Sequence, residues 1–505
     1  MLKKILLLSL GLWTSEAFGR MYYITPTGKS SNDGKSFATA KDLLSPISSA
    51  VAGDTLLLQG GTYAIPYTKG VINSIILSQS GTSGKPIYML SYNNSKAIID
   101  FSCPPNDYVD KGYGFDLRGA YWYFKGITIT NAPYQGVYNI GDHNTFNNCV
   151  FSYCRFSGIE INKGGSNTTL LNCDSYRNYN PKATSSPPGG AADGFAPKQT
   201  MGQGNVLMGC RAWENSDDGY DTFGDPTVPN VSVIMENCWS FNNGSVTIGS
   251  VTYTGNMDGF KLGGNSVPQP NKAYNCIAFG NGLRGFDQNH NLGGVTLYNC
   301  LAYNNNQNYS FGEALNSGQV DDFRNNISYK ETVASNILSS QPQKNNSWNS
   351  GFSVSAADFK SLDLTLASID RNPDGSIPET DLFRLKSTSK LIDAGATTGR
   401  PYLGNAPDLG PFEYSSIVTN LFEAPNFHNN AVLFPTIVDQ EVHIRLLASY
   451  SDASVAIYST EGILLYQGIL ESDESVIPCH QLKAGKYIVN VKNEGVASSF
   501  YMIKK

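Results

Sequence analysis

Three short stretches hold the residues whose types and spacing could do chemistry: ADGFAPK (192–198), WENSDDGYDTF (213–223) and NMDGFKLGG (256–264). They place Asp193, Asp217, Asp218 and Asp221 upstream of a lysine, Lys261. Carboxylates brought close together repel one another unless a cation, a basic neighbour or solvent screens them. Asp193, Asp218 and Asp221 therefore suggest a hard oxygen-ligand site of the kind calcium occupies, against the plainer reading of a solvated acidic face. A lysine on its own is ordinarily a solvated charge. Beside a divalent cation its ammonium form is disfavoured, and a neutral amine becomes available as a base. That pairing suits removal of a proton α to a carboxylate.

A repeat brings these stretches together. Six cysteines end similar apolar runs, TFNNC, TLLNC, VLMGC, IMENC, KAYNC and TLYNC, at Cys149, Cys173, Cys210, Cys238, Cys276 and Cys300. A glycine follows five of them by 9, 21, 9, 21 and 9 residues, at Gly158, Gly194, Gly219, Gly259 and Gly285. The unit is thus a coil of about two dozen residues with two longer excursions, which is the pattern of a stacked parallel β-helix. Coils stack at about 4.8 Å, so equivalent residues form ladders. Ile159, Phe195, Tyr220, Phe260 and Phe286, just after the glycine, are expected inside as a stacked core, with the cysteines as an inward thiol column and the preceding Asn as a turn ladder.

Alternation along the strand then sends two columns outward. One holds Ser157, Asp193, Asp218, Asp258 and Arg284; the other holds Glu160, Ala196, Asp221, Lys261 and Asp287. Asp217 shares a column with Phe156, Ala192, Met257 and Leu283 and should point inward, so a local bulge is needed to turn it out.

Of 505 residues only 15% are charged, while 50 are Gly and 29 Tyr, which argues for strands and tight turns and against helical bundles. A formal charge of -6 offers no extended basic surface for nucleic acid, and no stretch after residue 20 approaches a membrane span. Residues 1–19, with two lysines and an apolar run too short to cross a bilayer, read as a cleaved export signal. The β-helix is expected over 20–416, with one more coil in 121–140, a later one in 320–330 and a helical cap near 41–52. Residues 331–415 should wrap the last coils, 417–427 should link, and 428–505 read as short hairpin strands of a small β-sandwich, making the whole chain all-β.

With the coil pattern and the three stretches together, residues 21–415 resemble the family 9 pectate lyases. The resemblance implies a right-handed parallel β-helix that cleaves uronate polysaccharides such as polygalacturonate by β-elimination. It implies one Ca2+ held by four aspartates, which fall by motif on Asp193, Asp217, Asp218 and Asp221, and a lysine base on Lys261. Arg284, one coil beyond Asp258, could hold a neighbouring substrate carboxylate, act as the base instead, or simply pair with Asp258. The segment from about 428, with LFPTIVDQEVHIRL, LKAGKYIVNV and a final Lys-Lys, resembles the type A sorting domain of the type IX secretion system, although Phe434-Pro435-Thr436 replaces its usual opening Tyr-Pro-Asn-Pro. That likeness implies an outer-membrane export machine as partner and a secreted or surface location; a carbohydrate-binding sandwich is the alternative.

Other readings compete. The same family includes rhamnogalacturonan I lyases. A β-helix hydrolase would use two carboxylates, such as Asp218 with Asp258, and a non-catalytic glycan-binding adhesin would need neither site. Only a lyase explains Lys261 as well. A second calcium-like string, DRNPDGSIPETD (370–381), sets Asp370, Asn372, Asp374 and Asp381 at loop positions 1, 3, 5 and 12, with a plain polar turn as its alternative. The protein is expected to act as a monomer.

Overall fold

The computed structural model describes residues 19–182, 188–351, 353–400 and 402–414, and most of 431–504. The export segment and the linker expected at 417–427 lie outside the described residues.

Each full coil consists of three short strands and three turns. In one coil these strands are Thr145–Asn147, Val150–Ser152 and Ile159–Ile161. Equivalent strands of successive coils pair in parallel and in register, giving sheets of 12, 10 and 10 strands. The first strand, Met21–Ile24, pairs with Thr55–Leu58, and between them the expected cap forms one short helix, Leu44–Ser49, with Pro46 and Ile47 buried.

Two corner ladders fix the coil's shape. At the first corner Asn148, Asn172, Gly209, Asn237, Asn275 and Asn299 all adopt positive φ of 52° to 61°, a region that Asn and Gly enter at low steric cost. The chain thereby turns sharply, and the next residue, the repeat cysteine, points into the core. All six cysteines are buried and unpaired, as expected.

The second corner carries a ladder of its own. Five residues after each of five of these cysteines stands an asparagine: Asn178, Asn215, Asn243, Asn281 and Asn305. Each side-chain oxygen from Asn215 onward accepts both the backbone N–H and the side-chain Nδ2 of the Asn one coil earlier, with Nδ2 distances of 2.9–3.0 Å. The repeat glycine is required by this ladder. A Cβ at Gly259 would stand 2.6 Å from the Gly285 oxygen and 2.7 Å from Asn281 Nδ2.

Inside the third sheet the predicted aromatic stack forms. Successive ring centroids lie 5.2 Å (Phe195–Tyr220), 4.5 Å (Tyr220–Phe260) and 4.8 Å (Phe260–Phe286) apart, near the inter-strand spacing. The later coils of the second sheet are built the other way round. Where earlier coils turn Ile99, Ile129 and Phe151 inward, these turn in small residues, Ala212, Ser240, Ala278 and Ala302, and their large ones, Trp239, Phe241, Ile277 and Phe279, face out. Phe359, Leu382, Phe383, Leu385 and Leu409 cover that apolar face. The covering segment also runs further back than the last coils: Arg371 reaches Asp174 (2.6 Å).

From 431 onward, a three-stranded and a five-stranded sheet enclose a separate core that includes Leu433, Ile444, Ile457, Val489 and Met502. Among the described residues no helix is long and apolar enough to cross a membrane.

The Asn ladder gives a direct test. Asn243→Ala leaves Asn215 and its neighbours with unmet buried groups and should lower the unfolding free energy by about 1–3 kcal/mol in chemical denaturation. An unchanged midpoint would remove the ladder from the account of stability.

Candidate active site

The third sheet presents its outer face beside the two excursions. There Tyr220–Asp221 pairs with Phe260–Lys261, putting Asp221 next to Lys261 on adjacent coils. Asp193, Asp218 and Asp258 form the neighbouring column, and each accepts the backbone N–H of its equivalent on the next coil: Asp218 N to Asp193 Oδ1 at 3.3 Å, Asp258 N to Asp218 Oδ1 at 2.9 Å, and Arg284 N to Asp258 Oδ1 at 3.1 Å. These amides fix the carboxylates in the strip before any ligand arrives.

Asp193, Asp218 and Asp221 each offer an oxygen within 4.8 Å of the others, and all three are buried. Lys261 Nζ lies 3.1 Å from Asp218 Oδ2 and 3.8 Å from Asp221 Oδ1. On the far side Lys198, which the sequence reading passed over, lies 2.7 Å from Asp193 Oδ2 and 3.1 Å from Asp221 Oδ2. A signal for it existed: Lys198 stands two residues beyond Ala196 and so on the same face.

Asp217, expected to turn out toward the metal, is buried beside the excursions. Its carboxylate accepts the backbone N–H groups of Ala191 and Asn256, one from the end of each excursion. Asp217 thus pins both arches and stands outside the tight trio. Burial and the Asp193 charge push its pKa up to about 6.

The charges divide unevenly. Burial, only partly offset by Lys261, raises the Asp218 carboxyl well above the usual range. Asp221 is held below it, because Lys261 and Lys198 together outweigh its burial. Burial alone would lower Lys261, yet Asp218, Asp221, Asp193 and Asp217 hold its ammonium above the ordinary lysine value. The neutral amine expected from the sequence is therefore not the form the aspartates alone favour.

Arg284 is committed to carboxylates: its Nη1 lies 3.2 Å from Asp287 Oδ2 and 3.7 Å from Asp258 Oδ2. Asp218 and Asp258, the pair a hydrolase would need, are both fully buried and bonded to backbone amides. The string at 370–381 forms a polar turn: Asp374 Oδ1 accepts from Ser376 N (2.9 Å) and Oγ (2.6 Å), Asn372 Nδ2 donates to Ser376 Oγ (2.9 Å), and Asp381 faces Lys360 at 3.9 Å. Asp370 joins no group of carboxylates there, and among the described residues only the Asp193 trio gathers three His, Cys, Asp or Glu side chains close enough to share an ion.

The chain matches the family described as the Pel9A-like, right handed beta helix region over residues 22–336. It belongs to the Pel9A-like β-helix family. Pectate lyase L of Dickeya dadantii (strain 3937) is 48% identical over 395 residues, 78% of this chain and 90% of that protein. Pectate lyase L of Paenibacillus polymyxa (strain SC2) is 31% identical over 396 residues, 75% of this chain and 84% of the other. Among solved structures, pectate lyase Pel9A superposes with a TM-score of 0.75 at 48% identity, covering 79% of this chain and 97% of its own. A rhamnogalacturonan lyase superposes at 0.62 with 28% identity, covering 73% and 97%. Membership of the Pel9A-like family thus rests on the coils and strip just described, and not on the sandwich beyond 431.

Lys198 provides the test of this geometry. Lys198→Met strands buried carboxylates, so the metal-free protein should lose about 3–5 kcal/mol in a denaturant titration with chelator. Added calcium should recover part of that loss. A variant as stable as wild type in chelator would mean that Lys198 does not balance the cluster.

Proposed function

We propose that this protein is a pectate lyase that cleaves polygalacturonate by β-elimination, leaving a 4,5-unsaturated product. The observation that carries the reading is Lys261 Nζ standing 3.1 Å from Asp218 on a strip whose three carboxylates converge within 4.8 Å. The lyase names of relatives that share most of this chain support it.

The donor set suits calcium, which takes several carboxylate oxygens in a flexible shell. Asp193, Asp218 and Asp221 would hold it, while Asp217, the fourth aspartate by resemblance, stands outside that trio and pins the excursions. When bound, the ion would offset the aspartate charges, neutralise the uronate carboxylate and acidify the C5 proton. As the neutral amine, its own proton lost to solvent once the aspartate charges are offset, Lys261 takes the C5 proton; the C5–H electrons form the C4–C5 double bond, and the C4 oxygen departs and is protonated from solvent. No water attacks carbon. The Arg284 guanidinium, already shared between Asp258 and Asp287, serves the field of the strip.

Excess EDTA should abolish the ultraviolet absorbance gained from polygalacturonate, reversibly and with the β-helix still folded. Lys261→Ala should lower turnover by orders of magnitude at unchanged calcium affinity. If Lys261→Ala turns over normally while Arg284→Ala is dead, the base is Arg284.

The export signal at 1–19 and the likeness of 428–505 to a type IX sorting domain support delivery outside the cell by an outer-membrane machine. The separate core of the sandwich supports the same division. Removing residues after 427 should leave lyase activity and stop release into the medium. A soluble, folded truncation without activity would refute that division.

A further inference from the structure

The two outward columns that carry the site continue past it toward the N-terminus. The Asp193 column runs back through Ser157, Gln135 and Tyr113: Gly158 N–H bonds the Asp193 oxygen (2.9 Å), Gly136 the Ser157 oxygen (3.1 Å) and Gly114 the Gln135 oxygen (2.9 Å). The Asp221 and Lys261 column runs back through Ala196, Glu160, Tyr138 and Asp116. The same strip therefore changes from carboxylates and lysine to aromatic rings and an amide.

These rings lie outside the inner cluster, with Tyr138 7% exposed and Tyr113 half-buried. Tyr113 and Tyr138 stack in parallel, with centroids 4.4 Å apart and planes 8° apart, on the outer face. Neither belongs to the apolar cluster inside the coils. Beside them Gln135 is held by its Nε2 bond to Glu160 Oε2 (2.7 Å). Its Oε1 has no hydrogen-bond partner although the residue is only 5% exposed. A buried acceptor left without a donor is costly unless a ligand or water reaches it. The charges nearby are already engaged. Arg118 pairs with Asp116 at 2.6 Å, and Asn162 donates to Glu160 Oε1 at 2.8 Å. Lys163 extends over the Tyr138 ring at 5.9 Å.

We propose that Tyr113, Tyr138 and Gln135 form a saccharide subsite that holds one sugar of the polymer by its ring face and a hydroxyl donated to Gln135 Oε1, without using that sugar's carboxylate. It rests on the lyase reading above. Two to four coils separate it from the Asp193 trio, about 10–19 Å along the strip, so it acts on polymer and leaves the reacting bond untouched. A sugar seated there can be neutral or esterified.

The test uses the full chain with calcium on polygalacturonate. Tyr138→Ala and Tyr113→Ala should each raise KM about two- to tenfold with kcat unchanged, while Tyr138→Phe keeps the wild-type value. The shortest galacturonate oligomer that wild type cleaves should be processed equally by all. The ratio of variant to wild-type KM should also hold from low to high salt, since no ion pair is involved. Unchanged KM, an equal loss on the short oligomer, or a ratio that collapses in salt would each overturn the subsite. Should Tyr138→Ala not fold, the less buried Tyr113 decides the matter. A wild type inert on polygalacturonate would instead overturn the lyase reading.

Discussion

Parallel pairing of coil upon coil, one inter-strand spacing apart, is the constraint from which the site follows. It forces residues of three distant stretches into columns, and so forces Asp193, Asp218 and Asp258 to stand closer than their charges favour. The fold offsets that repulsion locally. Each carboxylate accepts an amide from the next coil, and two lysines enter from either flank. The strip is thus strained in charge and relaxed in hydrogen bonding, which leaves room for a cation without asking the backbone to move.

The excursions serve the same end by different means. Each arises at the Asn corner, where the chain leaves the coil and must return in register. Asp217 closes both returns with one carboxylate, through Ala191 and Asn256. The second excursion also carries a hairpin, Ser245–Ile248 with Val251–Thr254, whose Tyr253 donates to Asn106 at 2.9 Å. The arches are therefore anchored at the site and again at the rim.

Most of the coil was legible because its ladders are one-residue signals: a cysteine after an αL asparagine, a glycine, then an inward ring. The Asn ladder at the second corner was equally periodic, yet asparagine in a turn-rich sequence carries little contrast. Lys198 escaped because a lysine near aspartates reads as a surface charge until burial is known. Asp217 stood out as an exception in the pattern, but its amide partners lie 26 and 39 residues away, on loops no pattern locates. The cover over the second sheet was foreseen only in outline. Its partners are outward aromatics of the coils, and outward bulk looks like surface until something is laid upon it.

The thiol column has a consequence of its own. A stack in which each coil touches only its neighbours opens from its ends, and every coil from Cys149 to Cys300 contains a sealed, unpaired sulfur, the first of them two, Cys149 and Cys154. These sulfurs are a graduated scale along the axis. The order in which they become reactive toward an alkylating reagent reads out, coil by coil, which end of the solenoid frays first and how far the fraying travels before the rest gives way.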